Sequence, residues 1–295
     1  MVQLDRTVDR GALGAAAVTV VLWASAFVVI RTAGHHFSPG AMALGRLLAG
    51  SVTLGVIMIV TGERIPPRAA WRGILISGVL WFACYMVALN WAEQMIDAGT
   101  AAMVINIGPI LIALLGGMFL GEGFAPRLFA GMAVSFGGAV VVGLSTSHGG
   151  GAALLGVVLC LLSAAAWAVS VVAQKPALRH ASPLQVTTFG CTVGAICCLP
   201  FAGQLVDDVA AAPLSATLGV VYTGVLPTAV AFTAWAYALS RTSAGKLGVT
   251  TYAVPALVVF LSWAVLGEVP GPLTILGGAL CLAGVAVSRS KPRGV

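Results

Sequence analysis

Arg46 is the one charged side chain that falls well inside a long apolar run, eight residues beyond Ser38. At 1.5 Å per helical residue it lies about 12 Å from the helix end. A cation at that depth snorkels, pairs with an acid such as Glu93 or Asp97, or binds a carboxylate brought by a ligand. Pro109 and Pro255 occupy the middles of two other runs. Each frees the carbonyl four residues earlier, at Ile105 and Thr251, and so reads as a hinge. Asn106 and Tyr252 sit three residues before these prolines. A polar group beside a kink either binds a ligand or ties two helices together. Trp81 and Tyr85 are four apart and share one helix face. Together with Trp23, Trp167, Tyr222 and Trp235 they could sandwich an apolar or aromatic molecule and hydrogen-bond its polar part.

Other chemistry is missing. The sequence has no HExxH, GxSxG, P-loop or dinucleotide fingerprint, which argues against an enzyme and against a bound cofactor. The four histidines (His35, His36, His148, His180) fall near span ends. The six cysteines (Cys84, Cys160, Cys191, Cys197, Cys198, Cys281) lie inside apolar runs without ligand spacing, so no metal site is expected. The nine acids all fall at run ends or in connecting segments. A carboxylate inside a membrane usually marks a proton or cation site, so this distribution points to facilitated exit or exchange. Glu122 and Glu268 each follow a glycine and precede a new helix, where an anion suits the helix N-terminus and a gating role is the alternative.

The elements that must position these residues are membrane spans. Of 295 residues 59% are hydrophobic and only 8% charged, too few charges to cover a surface facing water. Ten runs reach span length: Gly11–Ala33, Pro39–Thr61, Ala70–Ala92, Ala98–Leu120, Pro126–Ser145, Ala152–Gln174, Pro183–Gln204, Leu214–Leu239, Ala244–Leu266 and Leu273–Ser288. They lack the alternation of a β-barrel. With the N-terminus inside, thirteen Lys and Arg residues fall in inner segments and Arg31 alone in an outer one. The charge of +6 therefore encodes topology rather than nucleic-acid binding, with both termini cytoplasmic. The first run follows Arg6 and Arg10 but is span-length, an uncleaved helix rather than a signal peptide.

The chain also repeats itself. Trp23-Ala24 and Ser38-Pro39 return 144 positions later as Trp167-Ala168 and Ser182-Pro183. From Gly73 onward the offset is 146, through Gly219, Gly224-Val225-Leu226, Ala244-Gly245, Pro255, Leu266-Gly267-Glu268, Gly277 and Gly284. Five spans per copy force the copies to insert in opposite senses, an arrangement that places a binding site at the midplane and permits alternating access. The halves are expected at 1–145 and 152–289, with a cytoplasmic tail over 290–295.

These motifs resemble the EamA family of the drug/metabolite transporter superfamily over nearly the whole chain. The resemblance rests on a first-helix Trp, Pro39 with Arg46, Ala88-Leu89-Asn90-Trp91-Ala92, Pro109, and Leu120-Gly121-Glu122, the last two elements recurring in the second half. It implies ten helices in two inverted five-helix halves, an all-α polytopic fold, with the first, third and fourth helices of each half lining a cavity. It also implies export or exchange of small metabolites such as amino acids in a cell membrane. Asn90, within the family motif, joins the candidate binding set. Neutral or aromatic amino acids are the leading substrates. Hydrophobic drugs or organic cations are the alternative, and an intramembrane enzyme or lipid-handling scaffold the reading from another class. Gly117 and Gly121 form one GxxxG, a weak pointer to a homodimer.

Overall fold

The computed structural model describes residues 9–123 and 151–289, with positions 130, 131, 133, 134, 137, 138 and 141 between them. Most of the expected fifth span falls outside the described residues, and the tail over 290–295 falls wholly outside them. The described residues are helical, with no strand among them. Seven helices are long and apolar enough to cross a membrane: Arg10–Ala33, Pro39–Thr61, Arg68–Met95, Ala98–Phe119, Gly151–Ala177, Leu214–Arg241 and Ala244–Leu266. Pro183–Cys197 and Leu199–Ala211 form a further pair bent by 53°. Pro200 explains the bend, because proline cannot donate to the helix and its ring clashes with the carbonyl four residues back. The span expected to stop at Gln204 therefore turns and continues to Ala211. Pro272–Arg289 follows.

Local chemistry sets the starts and stops. Asp9 accepts from the amides of Gly11 and Ala12, Asp97 accepts from Thr100, and Ser182 with Gln185 forms a capping box. Pro39 and Pro183 begin their helices where a missing N–H costs nothing. Gly62 and Gly267, both at φ 68°, end theirs in the left-handed conformation that glycine adopts freely. Gly121, also at φ 68°, lies past the helix ending at Phe119. The Gly117–Gly121 pair therefore presents no continuous helical stripe to a second copy.

Repeat-related positions do the same things at different places in the bundle. The third and eighth expected spans each contain a π-helical stretch, Gly78–Tyr85 and Gly224–Val230, which begin 146 residues apart. Each stretch starts where another helix crosses closely. A Cβ on Gly50 would stand 3.2 Å from the Gly224 carbonyl, and one on Gly194 would stand 3.2 Å from the Gly78 carbonyl. The ends match as well. At one end Arg31 donates to the backbone oxygen of Glu93 (2.6 Å) and to Glu268 Oε1 (2.9 Å). At the other, Lys175 donates to the carbonyls of Leu239 and Thr242. There Glu122 accepts from the amides of Ala244 (2.9 Å) and Gly245 (3.1 Å). Each Ser-Pro serine also reaches a carboxylate: Ser38 donates to Asp208 (2.9 Å) and Ser182 to Glu63 (2.8 Å).

Large apolar side chains cover the outside, Ile59 and Val60 being 82% and 80% exposed, and the interior is also mainly apolar, with polar groups such as Asn90, Asn106 and Gln174 buried in it. An apolar exterior on helices of span length suits a lipid surround, and the protein is a multi-pass membrane protein. Cys84 and Cys197 share the outer surface rather than the packed interior expected for them, whereas Cys160, Cys191 and Cys198 are buried.

Candidate functional site

Four tryptophans from four helices meet at the centre. Trp23 lies 5.1 Å from Trp235, 5.9 Å from Trp81 and 6.1 Å from Trp167 between ring centroids. Phe232 stacks within 4.7 Å of Trp81 and 5.4 Å of Trp23. Edge-to-face and tilted pairs of this kind add about 0.5–1.5 kcal/mol each beyond the area they bury. Helical spacing makes the cluster possible, since Phe232 and Trp235 are three apart and share a face.

A cavity opens beside the cluster, lined by Trp23, Phe27, Arg46, Trp81, Tyr85, Asn106, Trp167, Phe232 and Thr251 among others. Its free volume of about 30 Å³ for the centres of water-sized spheres admits only a water or two. Among the described residues, Arg31 with Glu268 ties helices together at one end of the bundle, and Lys175 with the Leu239 and Thr242 carbonyls does so at the other.

The helix breaks bring the polar groups here. The chain is helical over Ala98–Ile105, turns at Asn106-Ile107, and resumes over Gly108–Phe119. Pro109 lies just inside the second segment, where it has no N–H to lose. In the second half the helix passes through a 3₁₀ stretch, Val249–Tyr252, before Ala253–Leu266. Both expected hinges therefore sit at real interruptions. Asn106 Nδ2 donates to the Ala102 carbonyl (3.2 Å). Its Oδ1, and the indole nitrogens of Trp23, Trp167 and Trp235, are buried with no hydrogen-bond partner among the described residues. Leaving such a group unmatched costs about 1–3 kcal/mol, and a polar ligand would remove that penalty.

Arg46 is 3% exposed. Its Nε donates to Thr228 Oγ1 (2.7 Å), and Thr228 in turn donates to the Thr223 carbonyl (2.8 Å). That second bond lies in the π-helical stretch, where the Thr223 carbonyl is five residues back. The ion pairs among the described residues are Arg31–Glu268 and Arg241–Asp9, so Arg46 has no acidic partner there. This corrects two expectations: Arg46 pairs with neither Glu93 nor Asp97, and the second helix does reach the cavity. Gly224 allows it, since a Cβ at that position would collide with the backbone carbonyl of Arg46.

Of the residues singled out in the sequence, Trp23, Arg46, Trp81, Tyr85, Asn106 and Trp167 line the cavity, and Trp235 packs behind Trp23. Asn90, Tyr222 and Tyr252 are not on its wall. Asn90 Nδ2 donates to the Pro39 carbonyl (3.2 Å), tying two helices. Tyr222 and Ser25 share a hydrogen bond of 2.8 Å. Tyr252 packs on the side of Ile110, and its neighbour Thr251 takes the wall position. Phe27, Phe232 and Thr251 were not singled out; Phe27, one turn beyond Trp23, was detectable from helical spacing. The acids also need correcting. Glu93 was expected just outside its span, but the helix runs on to Met95 and buries Glu93 to 1% exposure.

A helical membrane bundle with an aromatic chamber at its centre, bearing Asn106 and Arg46 on its wall, is the architecture of a transporter for small molecules. The sequence model of the EamA-like transporter family matches twice, over residues 10–144 and 154–290, and the chain belongs to that family. It is 35% identical to a probable terminal-alkyne amino-acid exporter of Streptantibioticus cattleyicolor, over 96% of this chain and 95% of that one. It is 33% identical to the transporter YdfC of Bacillus subtilis, over 92% and 88% of the two chains. A probable amino-acid metabolite efflux pump of Escherichia coli is 23% identical, over 92% and 93%. One crystal structure superposes with a TM-score of 0.66 at 21% identity, covering 94% of this chain and 96% of the other, a likeness of fold.

Proposed function

We propose that this protein exports neutral or aromatic amino acids across the cell membrane by alternating access. Two oppositely inserted five-helix halves, 1–145 and 152–289, make ten spans, with both termini cytoplasmic. The paired contacts support that symmetry: Arg31 with the Glu93 carbonyl and Lys175 with the Leu239 carbonyl are repeat mates at opposite ends of the bundle. In this topology the Arg31–Glu268 pair closes the outer side, and Lys175 with Glu122 closes the inner one.

The observation that carries the substrate class is Arg46, a buried cation on the wall of an aromatic chamber with no acidic partner among the described residues. A guanidinium prefers a carboxylate as its partner. Asn106 Oδ1 offers an acceptor for an ammonium group, and the indole rings accommodate an apolar side chain. The names of two relatives point the same way. A buried cation disfavours an organic-cation substrate, which would be repelled. A separate apolar groove, bordered by Val79, Cys84, Trp91 and Phe201, shares no lining residue with the chamber. That separation argues against lipid entering the chamber from the side.

Counterflow in proteoliposomes preloaded with unlabelled amino acids tests the proposal. Labelled leucine or phenylalanine should accumulate transiently, and tetraphenylphosphonium should not. Exchange of the cation with no exchange of any amino acid would overturn it.

A further inference from the structure

Glu93 is the one acidic side chain among the described residues that is buried with neither carboxyl oxygen hydrogen-bonded within that set. The other described acids find partners: Asp9, Asp97 and Glu122 accept from helix amides, Glu63 and Asp208 accept from serines, and Glu268 holds Arg31; Asp207 stays outside the core. Stranding a carboxylate ion in a dry interior is far more costly than stranding the neutral acid. Buried this way, Glu93 is accommodated with a proton on it.

The position also couples it to opening. Glu93 lies one turn beyond Leu89, a wall residue of the chamber, and Arg31 bonds its backbone carbonyl while holding Glu268. Parting the Arg31–Glu268 pair would admit water to Glu93. The charged and titratable groups around it are Arg31, Arg46, Glu268 and Asp97, with Tyr85 and Cys160.

We propose that Glu93 is a proton-binding site whose proton is exchanged for the substrate in each cycle. Water at the open outer face supplies a proton to one carboxyl oxygen after the substrate leaves. The neutral acid allows the empty chamber to close. Opening inward then breaks the O–H bond and passes the proton to water on the cytoplasmic side, leaving the carboxylate for the next substrate. No oxidant or reductant is involved. This reading rests on the transport function proposed above and replaces the facilitated exit expected from the sequence.

The experiment uses the full chain, wild type and E93Q, with leucine as probe and an infrared measurement that needs no substrate. At neutral pH the wild type should show a carboxylic-acid carbonyl band that E93Q lacks. An acid interior should drive leucine accumulation into wild-type vesicles several-fold above the no-gradient level. E93Q should accumulate nothing against the gradient, and whatever counterflow it keeps should be indifferent to pH. Identical infrared spectra, a wild type that exchanges leucine without responding to the gradient, or an E93Q that accumulates like wild type would each overturn the proposal. If the wild type moves no amino acid, the substrate reading fails and the infrared band alone decides: present, the proton site stands; absent, it falls. Should E93Q not fold, E93D must shift the pH profile of leucine accumulation, and a profile superimposable on wild type would refute the role of Glu93.

Discussion

Arg46 ties the chemistry of the chamber to its walls, because Nε is committed to Thr228 while the guanidinium faces the cavity. A hydrogen bond to a charged group contributes about 1.5–3 kcal/mol, so R46A should slow leucine counterflow about tenfold to a hundredfold. R46K keeps the charge but not the planar fork that engages Thr228 and a carboxylate together, and should recover little of the loss. Initial rates normalised to monodisperse protein check both, and full activity in R46K would contradict the role given to the fork. Asn106 bonds only one turn back along its own helix. N106A should therefore lower transport while leaving the thermal midpoint nearly unchanged, as a melting curve beside a transport assay would show. Trp23, Trp81, Tyr85, Asn106 and Trp167 were legible in the sequence because depth and spacing alone nominate them. Tyr252 was misplaced for a physical reason: the 3₁₀ stretch at Val249–Tyr252 winds more tightly than an α-helix, so Thr251 turns inward instead. Glu93 was missed because the helix outlasts its apolar run by three residues, ending at Met95 rather than Ala92.

Helices acquire their functional shape here from prolines and glycines. Pro109 and Pro255 were readable as interruptions. The π-helical stretches at Gly78–Tyr85 and Gly224–Val230 were not, because they arise from how crossing helices seat against Gly78 and Gly224 rather than from a local residue pattern. A side chain at Gly224 would press on the Arg46 carbonyl and on Ala49, both on the crossing helix. G224L should therefore lower stability by about 1–3 kcal/mol or more through overpacking. G55L, at a glycine with nothing within 4 Å of a built Cβ, is the control and should melt like wild type. Equal melting temperatures for the two variants would rule out close crossing as the reason for glycine at 224.

At the scale of the whole molecule, residues that the repeat relates tie helices together at two ends of the bundle. Alternating access requires these ends to open in turn. In a background lacking the native cysteines, joining R31C to E268C with a short thiol cross-linker should arrest counterflow, and so should joining K175C to T242C. Reductive release should restore each. Undiminished exchange through both cross-linked pairs would rule out these contacts as gates. The ten expected spans and the doubled motifs let the sequence anticipate a helical bundle with internal kinship. Which residues meet across the halves was beyond it, since a crossing depends on both surfaces at once. The contact between Arg31 and the Glu93 carbonyl, for example, has no sequence signature.

The central claim is that a carboxylate-bearing molecule is drawn to Arg46 among the tryptophans, and binding tests it without transport. Three of the seven tryptophans line the chamber and a fourth, Trp235, packs against Trp23, so intrinsic fluorescence of the purified protein reports occupancy. Titrations with phenylalanine and with phenethylamine, its counterpart without the carboxylate, should differ: a saturable change with phenylalanine that R46A abolishes, and none with the amine. Equal affinity for the two ligands, or phenylalanine binding that survives R46A unchanged, would contradict the account.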